Sequence, residues 1–423
     1  MVRYVRGNIN SRALREANLK QNRKGWIIVA AGTGMNLAFG VLYAWSIFAG
    51  KLQESLGWTK TESSIPYTIA IIMFAFMMVP AGRLQDKIGP RWVATLGGLL
   101  IGAGCILAGS MNSILGLSIA FGILAGSGIG LGYASTTPPA VKWFSPKKKG
   151  LISGIVVGGF GLAPLYIVPL TKYLLSRWDV FTSFRILGFL FLLITLPLAQ
   201  LIRNPKSDEM PEGTAKPGSQ AESDFAALQL SYKDMFKTKE FYMLWFMFFA
   251  GATGGLMTIG NLKTLVTNLL GDGIGFQLVA FAAIANALGR PIAGVISEKI
   301  GRGKALAILF VLQAIALFTF NSYTTLLPIF AAACMIYFAY GAMASVFPSA
   351  CADNYGTKNL GLNYGILFSA WGVGGVFGPI LGGRIADATG SYHIAFVVSG
   401  IILLVAATVA FLYKPRKANQ STK

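Results

Sequence analysis

Gly82-Arg-Leu-Gln-Asp86-Lys-Ile-Gly89-Pro-Arg91 and Gly294-Val-Ile-Ser-Glu298-Lys-Ile-Gly301-Arg-Gly-Lys304 are two copies of one pattern in a chain of 423 residues. Each copy follows the second long apolar run of its half of the chain, and the two begin 212 residues apart. A glycine opens both copies, and an acidic residue stands four positions later in both. This duplication predicts two structurally equivalent halves.

Twelve apolar runs are long enough to cross a membrane, since a hydrocarbon core of ~30 Å requires ~20 residues of helix. A polar stretch at 204–240 separates the sixth run from the seventh and has the Pro-, Ser-, Lys- and Glu-rich composition of a linker. The sequence therefore predicts an all-α membrane protein, with 12 transmembrane helices in two pseudo-symmetric six-helix bundles. The predicted parts are an N-terminal tail at 1–25, a first bundle at 26–203, the linker loop at 204–240, a second bundle at 241–413 and a C-terminal tail at 414–423. The predicted spans are 26–50, 64–84, 93–111, 114–137, 150–175, 182–203, 241–266, 276–298, 304–321, 326–350, 361–386 and 392–413.

The composition excludes several other classes of protein. Hydrophobic residues make up 54% of the chain and charged residues only 12%, yet the formal net charge is +20. A soluble domain carries about 25% charged residues, and a nucleic-acid-binding domain displays its Lys and Arg on a polar surface. A soluble enzyme, a disordered chain and a nucleic-acid-binding protein are therefore excluded.

Basic residues are distributed unequally between the two sides of the predicted spans. Most of the 36 Lys and Arg residues fall on the side of the two termini, seven fall on the opposite side, and Arg290 alone falls within a span. Because cytoplasmic loops carry the excess of Lys and Arg, both termini are predicted to be cytoplasmic. Trp26, Trp58, Trp143 and Trp178 stand near span ends and are predicted to lie at the membrane interfaces.

Few residues are suited to catalysis or metal binding. The only histidine is His393, and Cys105, Cys334 and Cys351 lie within apolar runs. This pattern lacks the ligand spacing of a metal site and offers no nucleophile paired with a base. The sequence therefore predicts no enzyme, no metal site and no cofactor, and leaves the proton open as a coupling ion.

The paired loops at 82–91 and 294–304 resemble the signature loop of the major facilitator superfamily. That resemblance implies the major facilitator fold, with a substrate site at the midplane between two halves that rock against each other. A narrower resemblance, to the oxalate/formate antiporter family, rests on Gly40-Val-Leu-Tyr43-Ala-Trp45-Ser-Ile-Phe48, Asn286-Ala-Leu-Gly-Arg290-Pro291 and Asn363-Tyr364-Gly365. This family is related to the monocarboxylate transporters, and the resemblance implies that small carboxylates are the substrates.

The charged residues of the duplicated loops are predicted to act in gating rather than in substrate contact. An acidic side chain at the end of one helix can cap or pair with groups on neighbouring helices. Such contacts would hold one side of the protein closed and break when the halves rock. The predicted gating residues are Asp86, Arg91, Glu298 and Lys304.

Arg290 is the predicted centre of the substrate site. An arginine deep within a span costs ~2.5–3.5 kcal/mol on insertion scales and by default marks a functional pathway. Its planar guanidinium matches a carboxylate bidentately, and the family resemblance assigns that role to the corresponding arginine. Asn286 lies one helical turn earlier, on the same face. In the monocarboxylate transporters this position is often an aspartate implicated in proton coupling.

Aromatic residues are predicted to complete the substrate site. Tyr43, Tyr133, Phe160, Tyr340 and Phe368 align with positions that line the substrate cavity of the family. Oxalate exchangers carry a lysine where this chain has Trp371. One cation balances one carboxylate in a low-dielectric cavity and leaves the second charge of oxalate unpaired. Monocarboxylates such as lactate or pyruvate are therefore expected over oxalate.

The predicted function is secondary active transport of small organic monocarboxylates, coupled to protons, by alternating access around Arg290. The alternative within the same fold is an oxalate/formate-type exchanger in which Lys263 or Lys172 replaces the missing lysine. A non-transporting membrane sensor is the alternative from another class. The chain is expected to be a monomer in the cytoplasmic membrane of a bacterium, surrounded by lipid and without nucleic-acid partners.

Overall fold

A computed structural model describes residues 23–145, 148–206, 209, 229–270, 275–320, 322–323 and 325–416. Residues 1–22 of the predicted N-terminal tail, 417–423 of the predicted C-terminal tail, and 207–208 and 210–228 of the predicted linker loop lie outside these residues. Twelve helices of the described chain are long and apolar enough to cross a membrane, and this part of the chain contains no strand, which confirms the predicted fold class.

The helices are α1 (Arg23–Leu56), α2 (Lys60–Ile88), α3 (Pro90–Ala108), α4 (Ile114–Lys142), α5 (Lys149–Arg177), α6 (Val180–Leu201), α7 (Lys239–Leu270), α8 (Gly275–Ile300), α9 (Arg302–Phe320), α10 (Leu326–Tyr355), α11 (Leu360–Thr389) and α12 (His393–Leu412).

We define the terminal side as the side of the helix bundle on which α1 begins and α12 ends. Several helices continue past their predicted spans on this side: α2 runs to Ile88 rather than 84, and α10 runs to Tyr355 rather than 350. A span read from hydropathy stops at the first charged residues, whereas helical hydrogen bonding continues through them. The duplicated charged loops therefore lie at helix ends.

The duplication is visible in the backbone. Gly89 joins α2 to α3 with φ +91°, and Gly301 joins α8 to α9 with φ +92°. These values lie in a region that glycine adopts without the steric penalty of a Cβ atom. The glycine that both sequence copies share is therefore required by the same turn in both halves.

Polar side chains fix the helix starts on the other side of the protein. Thr59 and Glu62 form a reciprocal cap at the start of α2, with the Glu62 amide donating to Thr59 Oγ1 over 3.2 Å and the Thr59 amide donating to Glu62 Oε2 over 2.8 Å. Asp179 accepts hydrogen bonds from the amides of Phe181 and Thr182, at 2.8 and 3.0 Å, at the start of α6. Hydrogen bonds from Thr182 lower the pKa of the Asp179 carboxyl.

The two halves meet along two equivalent helix pairs, α2 with α11 and α5 with α8. A Cβ atom on Gly82 would approach the Gly361 carbonyl oxygen to 2.0 Å, and one on Gly294 would approach that of Gly150 to 2.2 Å. The backbones therefore touch at the terminal side, because the glycines leave no side chain between them. We call these two contacts, at Gly82–Gly361 and at Gly150–Gly294, the seam.

Trp143 departs from its predicted position. Trp26 and Trp178 are 45% exposed, as an interfacial tryptophan requires, but Trp143 is only 1% exposed. The Trp143 indole donates to the Arg203 carbonyl oxygen over 2.9 Å, and the guanidinium carbon of Arg203 lies 4.6 Å from the centre of its ring. The interface prediction is wrong for Trp143 because the end of α6 folds over it.

Candidate functional site

Arg290 lies in α8, ten residues before the helix ends at Ile300. At 1.5 Å per residue this is about 15 Å from the terminal side, half the thickness of a hydrocarbon core. The residue is only 3% exposed. Its Nε and Nη2 donate to Asn286 Oδ1 over 3.2 and 3.0 Å, and its Nη1 donates to the carbonyl oxygen of Val157 in α5. The two predicted core residues of the site are thus in direct contact, and α5 supplies the third partner.

Helix packing makes room for this guanidinium. A Cβ atom on Gly161 of α5 would lie 2.8 Å from Asn286 Oδ1 and 2.9 Å from Arg290 Nε, so a larger residue there would displace this pair. Ser345 of α10 donates to the Arg290 carbonyl oxygen over 2.6 Å. Pro291 follows Arg290 and contributes no amide donor to the helix. The position of Arg290 is therefore set by α5, α8 and α10 together.

Two tyrosines of the other half lie near the guanidinium. Tyr43 of α1 and Tyr133 of α4 are close enough for the charge of Arg290 to act on their hydroxyls. Tyr43 lies in a 3₁₀ segment, Gly40–Ala44, that interrupts α1. A 3₁₀ stretch within a longer helix often marks a functional hinge. Because a hydroxyl both accepts and donates, these tyrosines can donate to an anion bound at Arg290.

A small cavity of about 20 Å³, enough for a water molecule, lies against Arg290. The structure brings six of the eight predicted substrate residues to its wall; of the other two, Asn286 hydrogen-bonds Arg290 and Tyr43 packs against Phe160. The Trp371 Nε1 donates to the Tyr340 hydroxyl over 2.8 Å, which ties α11 to α10 across the cavity. The wall consists of Arg290, Tyr133, Phe160, Tyr340, Phe368, Trp371, Phe74, Phe248, Ala252, Met343 and Ala344.

Phe74 of α2 is the main cavity residue that sequence reasoning missed. Its ring centre lies 5.4 Å from that of Tyr133, 5.2 Å from that of Trp371 and 5.4 Å from that of Phe368. A phenylalanine in an apolar run looks the same whether it faces lipid or a cavity. The internal repeat could have indicated Phe74, because the offset of 212 residues between the two copies makes Phe74 the counterpart of Asn286.

Arg290 is the one charged side chain on the cavity wall among the described residues, and aromatic and aliphatic groups supply the rest. Attraction between opposite charges is strong where water is excluded. Lys172 is exposed on α5 and does not line the cavity, and the side chain of Lys263 lies outside the described residues. The cavity can therefore neutralise one negative charge beside a largely apolar wall.

Asp86 joins α2 to the start of α11. Its Oδ2 accepts a hydrogen bond from the Leu362 amide over 3.0 Å, one of the first-turn donors that a helix leaves unpaired. Gln85 donates to its Oδ1 over 3.0 Å, and Lys142 Nζ lies 3.9 Å from the same oxygen. Asp86 thus holds the two halves together at the Gly82–Gly361 contact of the seam.

Glu298 makes the equivalent contact at Gly150–Gly294, the second contact of the seam. Its Oε1 accepts from the amides of Gly150 and Leu151, at 2.5 and 3.4 Å, at the start of α5. An ion pair reinforces this contact, with Lys149 Nζ of the first half 3.1 Å from Asp353 Oδ1 of the second. Each half therefore caps a helix of the other, and the terminal side is closed.

The other two predicted gating residues lie away from the seam. Arg91 donates to the Gln200 carbonyl oxygen over 2.5 Å, within the first half, and Lys304 is exposed at the start of α9. Arg302 lies nearer the seam, with its Nε 2.9 Å from Asp353 Oδ2. The structure thus brings Asp86 and Glu298 to the contact between the halves and leaves Arg91 and Lys304 outside it.

Twelve helices of the described chain that are long and apolar enough to span a membrane, arranged in two equivalent halves, are the architecture of a membrane carrier. The sequence model of the Major Facilitator Superfamily matches residues 27–273 and 266–423. The chain belongs to this superfamily and is a transporter rather than an enzyme, as predicted.

Relatives of known name share most of its length. The chain is 29% identical to the oxalate:formate antiporter of Oxalobacter formigenes, over 96% of this chain and 95% of that protein. It is 27% identical to monocarboxylate transporter 13 of Rattus norvegicus, over 91% of this chain and 88% of that protein. These relatives confirm the resemblance on which the sequence prediction rested.

Solved structures agree on the fold. The transporter FucP in its outward conformation matches with a TM-score of 0.69 at 15% identity, over 92% of this chain and 99% of that one. The human organic anion transporter TETRAN matches with a TM-score of 0.69 at 14% identity, over the same shares of both chains. At these identities the likeness supports the fold alone.

The room that Gly161 leaves for Arg290 can be tested by substitution. Gly161→Ala should lower the melting temperature of the purified protein, because overpacking at such a contact costs about 1–3 kcal/mol. Gly158→Ala is the matched control: it lies one turn earlier on α5, and a Cβ atom there meets nothing within 4 Å. An equal loss of stability in both variants would contradict the proposed packing.

The seam can be tested through the native Cys351, which is fully buried in α10 near Asp86. The double change Asp86→Asn and Glu298→Gln should raise its rate of labelling by a hydrophilic maleimide roughly ten-fold, because hydrogen bonds to charged groups are worth about 1.5–3 kcal/mol. Cys105 in α3 should keep its labelling rate. Asp234→Asn, which removes a half-buried acid of the short helix Tyr232–Met235 outside the seam, is the control; acceleration by that change as well would rule out a specific gate.

Proposed function

We propose that the chain transports small organic monocarboxylates of the lactate or pyruvate type, coupled to protons, by alternating access around Arg290. It does so as a monomer in the cytoplasmic membrane of a bacterium, with the terminal side facing the cytoplasm. The observation that carries the proposal is a single guanidinium set in an otherwise uncharged aromatic cavity. One cation selects one carboxylate, and the aromatic wall selects a small apolar substituent beside it.

The hydrogen-bond arrangement suggests how an anion binds. Asn286 and the Val157 carbonyl accept from three N–H groups of the guanidinium, and the hydroxyls of Tyr43 and Tyr133 lie within reach of its charge. A carboxylate accepts from the two remaining N–H groups, and the tyrosine hydroxyls donate to the bound anion. The bound anion thus pairs the remaining donors and also neutralises the charge, which a neutral molecule does not do.

The same charge explains why transport requires a bound anion. Rocking the halves with Arg290 unneutralised means moving a charge through a low-dielectric region, which is costly. Anion binding removes that cost and allows the Asp86 and Glu298 contacts to break. We include proton coupling in the proposal because the chain is similar to monocarboxylate transporters.

An oxalate/formate-type exchanger is the second candidate, and the 29% identity to the Oxalobacter formigenes antiporter favours it. Its substrate has two negative charges when fully ionised. Trp371 stands where oxalate exchangers have a lysine, and its indole donates to Tyr340 rather than to an anion. The two candidates differ in the number of cations that the cavity must provide.

Transport by protein in liposomes tests the proposal directly. Uptake of labelled lactate should rise with an inward proton gradient and should vanish in Arg290→Ala, because the carboxylate loses its only cationic partner. Arg384→Ala removes an exposed arginine from α11 and should leave uptake unchanged. Uptake that needs an internal counter-anion and ignores pH would exclude symport, and retained lactate binding by Arg290→Ala would exclude the site.

The role of residue 371 can be tested by supplying the missing cation. Trp371→Lys should improve the affinity for oxalate roughly ten-fold or more, because a second positive charge pairs with the second carboxylate in a water-poor cavity. Trp371→Phe removes the indole donor without adding charge and should give no such gain. Binding measured by thermal shift separates the cases; tight oxalate binding by the unaltered chain would favour the exchanger.

A further inference from the structure

A second cavity lies apart from the substrate site, on the outer surface of the α2–α11 pair. This α2/α11 groove has a volume of about 1040 Å³. Its side chains are open to the surroundings: Phe76 is 65% exposed, Ile380 50% and Ile72 47%. The groove is lined by Ile72, Ala75, Phe76, Val79, Pro80, Arg83, Tyr232, Phe236, Leu362, Ile366, Ser369, Gly372, Val373, Val376, Phe377 and Ile380.

The groove has one charged end. Arg83 lies at its terminal-side end and is exposed, and no carboxylate of the described residues pairs with it. Tyr232 and Phe236, at the short helix Tyr232–Met235 that precedes α7, line the same groove. An exposed guanidinium at the edge of a membrane is suited to bind a phosphate group.

The dimensions of the groove restrict what can occupy it. From Ile72 to Arg83 is eleven residues of α2, or about 16 Å at 1.5 Å per residue. One leaflet of a hydrocarbon core is about 15 Å thick. An occupant must therefore be apolar over one leaflet and anionic at its outer end, which describes a phospholipid.

We propose that the α2/α11 groove binds one phospholipid with an anionic headgroup, its phosphate on Arg83 and an acyl chain along α2 and α11. Leu362 belongs to the groove wall, and its amide is the donor that Asp86 accepts at the seam. A lipid in this place contacts both halves and favours the conformation in which they touch. Anionic lipid is thus a stabiliser of the closed terminal side.

Native mass spectrometry of the delipidated full chain in detergent tests the proposal. Titration with phosphatidylglycerol should show one bound lipid at concentrations where phosphatidylcholine shows none. Arg83→Gln should weaken phosphatidylglycerol binding roughly five-fold, the factor expected for one basic residue at a membrane surface. Lys87→Gln is the matched control, because Lys87 is exposed at the same end of α2 but does not line the groove.

A second pair of variants tests the apolar part of the site. Val373→Trp should fill the groove and reduce phosphatidylglycerol binding, whereas Ile308→Trp on α9, which is similarly exposed, should leave it unchanged. Equal losses in Arg83→Gln and Lys87→Gln would reduce the effect to general charge attraction and overturn the proposal. Equal binding of both lipids, or full binding by Val373→Trp, would overturn it as well.

Discussion

A guanidinium buried between two helical halves, with no carboxylate of the described residues to pair with, is the constraint on which the rest of the structure depends. Burying such a charge is costly unless its donors find acceptors. Neutral acceptors meet this need for three of its N–H groups: the amide oxygen of Asn286 accepts from two, and a backbone carbonyl of α5 accepts from one. The charge is solvated without being cancelled, so it remains available to an anion.

The packing of α5 follows from this constraint. Because Arg290 donates to the backbone of α5, that helix must approach α8 closely, and Gly154 and Gly161 leave the necessary space. At Gly154 of α5, a Cβ atom would lie 2.5 Å from the Arg290 carbonyl oxygen of α8. The α2–α11 pair has an equivalent close approach, because a Cβ atom on Gly365 of α11 would lie 2.3 Å from the Met78 carbonyl oxygen of α2. The glycine-rich segments therefore serve the contact between the halves.

Features that repeat or that carry charge could be predicted from the sequence. The twelve spans, the duplicated loops and the isolated Arg290 all depend on patterns that a membrane imposes on composition. Hydropathy does not reveal which way an apolar side chain faces, which is why Phe74 and Phe248 were missed. It also could not place Trp143 beneath Arg203, nor show that Arg302, rather than Arg91 or Lys304, lies beside the seam. Those outcomes depend on how helix ends cross in three dimensions.

The contacts that close the terminal side are equivalent in the two halves, whereas the residues at the substrate site differ between them. Asp86 and Glu298 occupy equivalent positions and make equivalent bonds, so both halves contribute equally to closing the terminal side. About two and three helical turns before these acids the halves diverge. Arg290 and Asn286 of α8 correspond, by the same offset, to Met78 and Phe74 of α2. A second arginine at Met78 would place two unneutralised charges in one cavity, whereas an apolar α2 supplies the wall against which a single anion packs. The duplicated fold can therefore bind one charge at its centre only because the two copies differ there.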